Sequence, residues 1–122
     1  MTWTTADTNK HQDHVIAHVI GATPLSHFIH DETAYLLLDI GFVWNIYLDM
    51  EMGLVPQVMA FSELGVDEES FQTMDVECGP IESVALFEDD QERRLVLNCE
   101  HGAWVIETSL ERRFTRINAD GR

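Results

Sequence analysis

Residues Tyr35 to Met50 read YLLLDIGFVWNIYLDM, and this stretch decides the fold. No other segment is as apolar for as long, and Gly41 divides it near the middle. From Phe42 to Met50 the even positions Phe42, Trp44, Ile46, Leu48 and Met50 are all apolar. Asn45, Tyr47 and Asp49, among the odd positions, are polar or amphipathic. Such alternation marks a strand with one covered and one wet face, because successive side chains point to opposite sides of a sheet. Tyr35 to Leu38 does not alternate and reads as a strand covered on both faces. One continuous strand here would be about three times the usual length, so a tight turn or glycine bulge is expected at Ile40-Gly41.

Upstream, Ser26 to His30 (SHFIH) forms a strand that returns through the turn His30-Asp31-Glu32-Thr33. A related pattern recurs at 81–108 as a three-strand meander. Ser83 to Phe87 leads into the acidic turn Glu88-Asp89-Asp90-Gln91, Arg93 to Cys99 places Leu95, Leu97 and Cys99 inward, and Ala103 to Thr108 returns after a His101-Gly102 hairpin loop. Each block thus has a short strand, an acidic turn, an apolar strand, a glycine and a Trp-bearing strand. That outline fits an internal duplication, and equally the general likeness of any two antiparallel meanders.

A capped helix at 67–78 is expected between the two blocks. Asp67 suits the N-cap, Glu68 and Glu69 the positive end of the helix dipole, Val66 and Phe71 a hydrophobic staple, and Gly79-Pro80 the stop. Gly53 to Gly65 reads as irregular chain or as a short helix from Pro56 to a left-handed Gly65, a strand over Gln57 to Phe61 being the alternative. His14 to Ala22 (HVIAHVIGA) is β-branched on both parities and reads as a strand buried on both faces, a helix from near Asp13 being the alternative. Residues 1–13 are polar and aperiodic, a loose arm. Leu110, Phe114 and Ile117, with Ser109 as N-cap, suggest a short helix in the basic tail 110–122. The expected fold is therefore α+β in one domain: a mainly antiparallel sheet of six or seven strands in two meanders, with the 67–78 helix between them.

Charge is the most unusual bulk property. The chain of 122 residues carries a net charge of −15, with Lys10 as its sole lysine. Residues 1–92 hold eighteen acids and one base, whereas residues 93–122 hold four acids and six arginines. A surface of this sign repels nucleic acid and anionic membranes. The longest apolar run is far shorter than the roughly 20 residues needed to span a bilayer, and no basic-then-apolar leader opens the chain, so a cytoplasmic setting is expected. Cys78 and Cys99 form no CxxC unit and read as reduced, buried thiols.

For chemistry, the first candidates are His11, His14 and His18, spaced HxxHxxxH. On a helix three imidazoles would lie along one side and could hold a transition metal; on a strand only His14 and His18 would share a face. His27, His30 and Asp31 form a second group, and Cys99 with His101 a conceivable thiolate–imidazole pair. No GxSxG elbow, catalytic-cysteine signature or phosphate-cradling glycine loop occurs, and no cofactor is expected. The leading expectation is a non-enzymatic interaction module that binds a basic partner or self-associates. Glu88, Asp89 and Asp90 represent its acidic face, and Arg112, Arg113 and Arg116 a basic tail able to pair with a second copy as a homodimer. A metal- or small-ligand-binding protein built on the N-terminal histidines is the alternative.

Overall fold

Tyr35–Met50 folds as two strands about a glycine turn. In the computed structural model, which describes residues 2–73 and 77–121, β3 (Thr33–Leu38) and β4 (Phe42–Ile46) pair antiparallel with Leu36 opposite Trp44. The turn between them has Gly41 at φ +80°, a conformation that a side chain would strain. Leu36, Leu38, Trp44 and Ile46 enter the main core, whereas Leu37 and Val43 enter a second, smaller one on the opposite face. β3 is therefore covered on both sides, as its lack of alternation implies. The wet face expected for β4 is dry at Val43, which is 0% exposed, half-buried at Asn45 and exposed at Tyr47 just past the strand.

The chain is α+β, and its described residues form ten strands in two antiparallel sheets. The first sheet contains β2 (Pro24–His30), β3, β4 and β5 (Met52–Pro56), with the two-residue β6 (Gln72–Thr73) on the far edge of β2. The second contains β7 (Ile81–Asp89), β8 (Glu92–Cys99), β9 (Gly102–Ser109) and β10 (Phe114–Gly121), with the two-residue β1 (Thr4–Thr5) on the far edge of β7. Each sheet is thus a four-strand meander whose first strand carries a short strand contributed from elsewhere in the chain. The inner faces meet in one core that includes Leu36, Trp44 and Ile46 from one sheet and Leu95, Leu97, Trp104 and Ile106 from the other. The cross-strand pair Leu97–Trp104 repeats the pair Leu36–Trp44.

Several expectations are corrected. Residues 10–19 form a helix, α1 (Lys10–Val19), rather than lying partly in a loose arm and partly in a strand. Asn9 accepts from the Gln12 amide while the Gln12 side chain accepts from the Asn9 amide, a capping box that fixes the helix start. Val15 and Val19 project into the core, and Thr4–Thr5 of the expected arm pairs with Glu88 and Phe87.

No helix forms at 67–73; positions 74–76 of that expected element lie outside the described residues. Glu68–Ser70 makes one 3-10 turn, and Gln72–Thr73 joins the open edge of β2. Phe71 is pulled onto the outer face of the first sheet, with its ring 5.5 Å from Phe28 and 5.4 Å from Phe61. Edge pairing and aromatic burial override good local capping here. The helix between the meanders is α2 (Gln57–Leu64), which follows Pro56 and ends at the left-handed Gly65.

The helix expected in the C-terminal tail is also replaced. Phe114–Gly121 pairs along its length with β9, which lets Ile117 reach the core. Ser109 does accept the Arg112 amide three residues on, as an N-cap would, but the bond closes the β9–β10 turn and no helix follows among the described residues. The β8–β9 hairpin turns on Glu100-His101, one residue earlier than expected, with Gly102 already paired to Cys99.

Trp44 is wholly buried, and its indole N–H has no acceptor among the described residues. Trp44→Ala is expected to lower unfolding free energy by about 3–5 kcal/mol. Trp44→Phe should cost distinctly less, because it keeps most of the ring and removes an unpaired donor. Urea unfolding of both variants checks the order.

Candidate functional site

α1 and the end of the first sheet enclose a groove of about 350 Å³. His11, His14 and His18 come from the helix; Ile40, Phe42 and Leu54 come from the β3–β4 turn, β4 and β5. The helix is what brings the three histidines together, since positions 11, 14 and 18 fall on one side at a period of 3.6 residues. The adjoining side holds Gln12, Val15 and Val19 inward, and Val15 also lines the groove. Gln12 Nε2 donates to the Met50 carbonyl at 3.0 Å and His11 Nε2 lies 2.8 Å from the Met52 carbonyl, so α1 also tends the open edge beside β5.

Among the three rings, His14 and His18 are nearest neighbours, with centroids 4.5 Å apart and planes at 57°. His18 Nδ1 lies 2.8 Å from the His14 carbonyl. A carbonyl oxygen only accepts, so Nδ1 carries the proton and Nε2 of the neutral ring keeps its lone pair. By the same reasoning His11 carries its proton on Nε2. Among the described residues no three His, Cys, Asp or Glu side chains converge as a metal cage. The histidines therefore share a groove, with His14 and His18 paired and His11 tied to the sheet edge.

The other sequence candidates are dispersed. His27 faces Trp104 edge-on at 6.1 Å, and burial lowers its pKa. His30 lies on the other face of β2, stacked on Phe28 and 3.3 Å from the exposed Asp31. Cys99 is buried in the core whereas His101 sits exposed in the turn, so that pair does not assemble. Cys78 and Cys99 are both buried, their Sγ atoms 3.8 Å from the Ala103 carbonyl and 3.6 Å from the Leu97 carbonyl.

The acidic candidates Glu88, Asp89 and Asp90 occupy the β7–β8 hairpin, with Asp90 at φ +47° in the turn. A second run, Asp67-Glu68-Glu69, is exposed around the 3-10 turn. Among the described residues no arginine or lysine side chain forms an ion pair with either run. Arg94, Arg113 and Arg116 pair with carboxylates elsewhere in the chain, and Arg93 meets the acidic turn only at a backbone carbonyl. Arg113 grips Glu32 through Nε and Nη2 at 3.0 and 2.7 Å, and Arg93 donates to the Asp90 and Glu92 carbonyls. Arg112 is exposed in the β9–β10 turn.

Glu107 lies between two arginines on the outer face of the second sheet. Arg94 binds Oε2 at 2.8 and 3.2 Å, Arg116 binds Oε1 at 2.9 and 3.2 Å, and the Arg94 guanidinium stacks 4.4 Å from the Trp3 ring centre. Burial alone would push the Glu107 carboxyl up; the hydrogen bonds and charges of Arg94 and Arg116 outweigh it and hold the carboxyl below its ordinary value near 4.5. The folded chain thus keeps Glu107 ionised to lower pH than the unfolded chain does. Its contribution is complete above that ordinary value and is lost as pH falls through the lower folded one. Glu107→Gln is expected to cost about 1 kcal/mol at neutral pH, and the gap to wild type should close as pH falls below the carboxylate range. Urea unfolding at both pH values checks this.

In comparisons with known proteins, no family model matches the chain, and neither a curated protein nor a solved structure matches it significantly.

Proposed function

We propose that this chain is a protein-interaction module that binds a basic partner through its acidic surface. One observation carries the reading: Arg94, Arg113 and Arg116 are paired with carboxylates of their own chain, while the carboxylates of the two acidic runs pair with no arginine or lysine side chain among the described residues. Arg94 and Arg116 grip Glu107 and Arg113 grips Glu32, each through two nitrogens. The carboxylates of Asp67–Glu69 and Glu88–Asp90 have no such partner among the described residues; Arg93 meets only the Asp90 backbone carbonyl. The surplus of the −15 chain therefore faces solvent at fixed places in turns anchored to the sandwich. Like charges held close together repel one another, and a cationic partner relieves that repulsion while being steered to the site.

The same observation disfavours the arginine tail as glue between copies. Arg113 and Arg116 would have to surrender charge-assisted hydrogen bonds already made within the chain. A basic surface on a different protein meets no such competition.

Immobilised chain is expected to retain a basic protein from a lysate of its own source at about 50 mM salt and to release it by about 300 mM, as screening shortens the reach of the charges. Reversing Asp89 and Asp90, or Glu68 and Glu69, to lysine should weaken retention without shifting the unfolding midpoint. Failure to retain any basic partner at either salt, or retention indifferent to both reversals, contradicts the proposal.

A further inference from the structure

We infer that His14 and His18 form a two-imidazole site for a divalent transition metal of the copper, nickel and zinc class. The two residues are one helical turn apart on the groove side of α1, and their rings already stand 4.5 Å apart, centre to centre. A four-residue spacing places both side chains over the same patch of helix surface, so a single ion can reach both without bending the backbone.

The hydrogen bond of His18 prepares it for this role. Nδ1–H donates to the His14 carbonyl at 2.8 Å, which fixes the tautomer and leaves Nε2 as a lone pair. Metal-bound histidines are oriented in the same manner, by donation of the second ring N–H to a carbonyl or carboxylate. The His14 ring has no hydrogen-bond partner among the described residues, so either of its nitrogens is available. Neutral imidazole is a borderline ligand that favours copper, nickel and zinc over magnesium or calcium.

The surroundings favour a cation. No lysine or arginine lines the groove, Lys10 lying one turn before His14 at the start of the helix, and the chain as a whole is at −15. The groove is otherwise apolar, with Ile40, Phe42 and Leu54 opposite the rings, which limits competition from oxygen ligands. With two protein ligands the ion keeps open positions, so it exchanges and is completed by water or by a donor from outside the chain. His11 shares the groove but is held by the Met52 carbonyl through Nε2, and it stands outside the pair. This site is independent of the acidic runs; either can fail while the other stands.

The test is calorimetric titration of the untagged full chain with Cu2+ and, separately, Zn2+, together with electron paramagnetic resonance of the copper form. One Cu2+ per chain is expected, held by two nitrogens and more tightly than Zn2+. His14→Ala and His18→Ala should each weaken binding by about tenfold or more, while His11→Ala and His30→Ala leave it unchanged. All four side chains are exposed, so circular dichroism should be the same for every variant. Bound metal should also raise the unfolding temperature of wild type but not of His14→Ala or His18→Ala. Unchanged affinity in those two variants overturns the assignment. So does a loss in His11→Ala as large as that in His14→Ala.

Discussion

Neither sheet can bury its inner face without the other, and the rest of the structure follows from that constraint. Leu36 and Trp44 on one side, and Leu97 and Trp104 on the other, supply matching cross-strand pairs to one core. A four-strand meander with one apolar face is marginal in water; two of them, facing, remove that surface from solvent together. α1 then closes one flank. Val15 and Val19 enter the core between the sheets, while Gln12 and His11 meet carbonyls of Met50 and Met52 that would otherwise be left unpaired. The groove that the histidines line is a by-product of this closure, since a helix laid along a sheet edge leaves a furrow on its solvent side.

Polar contacts across the sandwich fix how the sheets sit. Thr115 donates to the Glu32 carbonyl at 2.6 Å, Thr108 to the Leu48 carbonyl at 2.7 Å, and Arg113 holds the Glu32 carboxylate. The concentration of arginine in the last thirty residues thereby gains a structural reason. Arg94, Arg113 and Arg116 all serve the second sheet, either across its outer face or in tying its last turn to the β2–β3 turn. A chain with eighteen acids in its first 92 residues pairs Arg94, Arg113 and Arg116 where the fold needs them, and the carboxylates of 67–69 and 88–90 are left without a paired arginine or lysine among the described residues.

Much of the fold was legible, and the failures have physical causes. The Gly41 turn, the β2–β3 hairpin and the second meander could be read because period-two patterning and turn chemistry act locally. The signal for α1 is present in the chain, since Asn9 and Gln12 have the spacing of a capping box, but β-branched Val15, Ile16, Val19 and Ile20 favour a strand and mask it. At 67–73 the local signals were sound and lost to tertiary ones, because Phe71 has aromatic neighbours to join and β2 has an edge to cover. Ile117 likewise follows the core rather than the helical spacing it shares with Phe114. The spacing of His11, His14 and His18 was visible in the chain, but its meaning depended on the helix. The opposing Ile40, Phe42 and Leu54 carry no sequence signal, since which apolar side chains stay half exposed is settled only by packing.

Native-state hydrogen exchange tests the shared core most directly. If each sheet depends on the other, the central amides of β3 and β4 and those of β8 and β9 should exchange with one common opening free energy, equal to that of global unfolding and moving together with added urea. Persistent protection of β8 and β9 under conditions where β3 and β4 exchange freely, or the reverse, would show that one meander stands alone and would contradict the account.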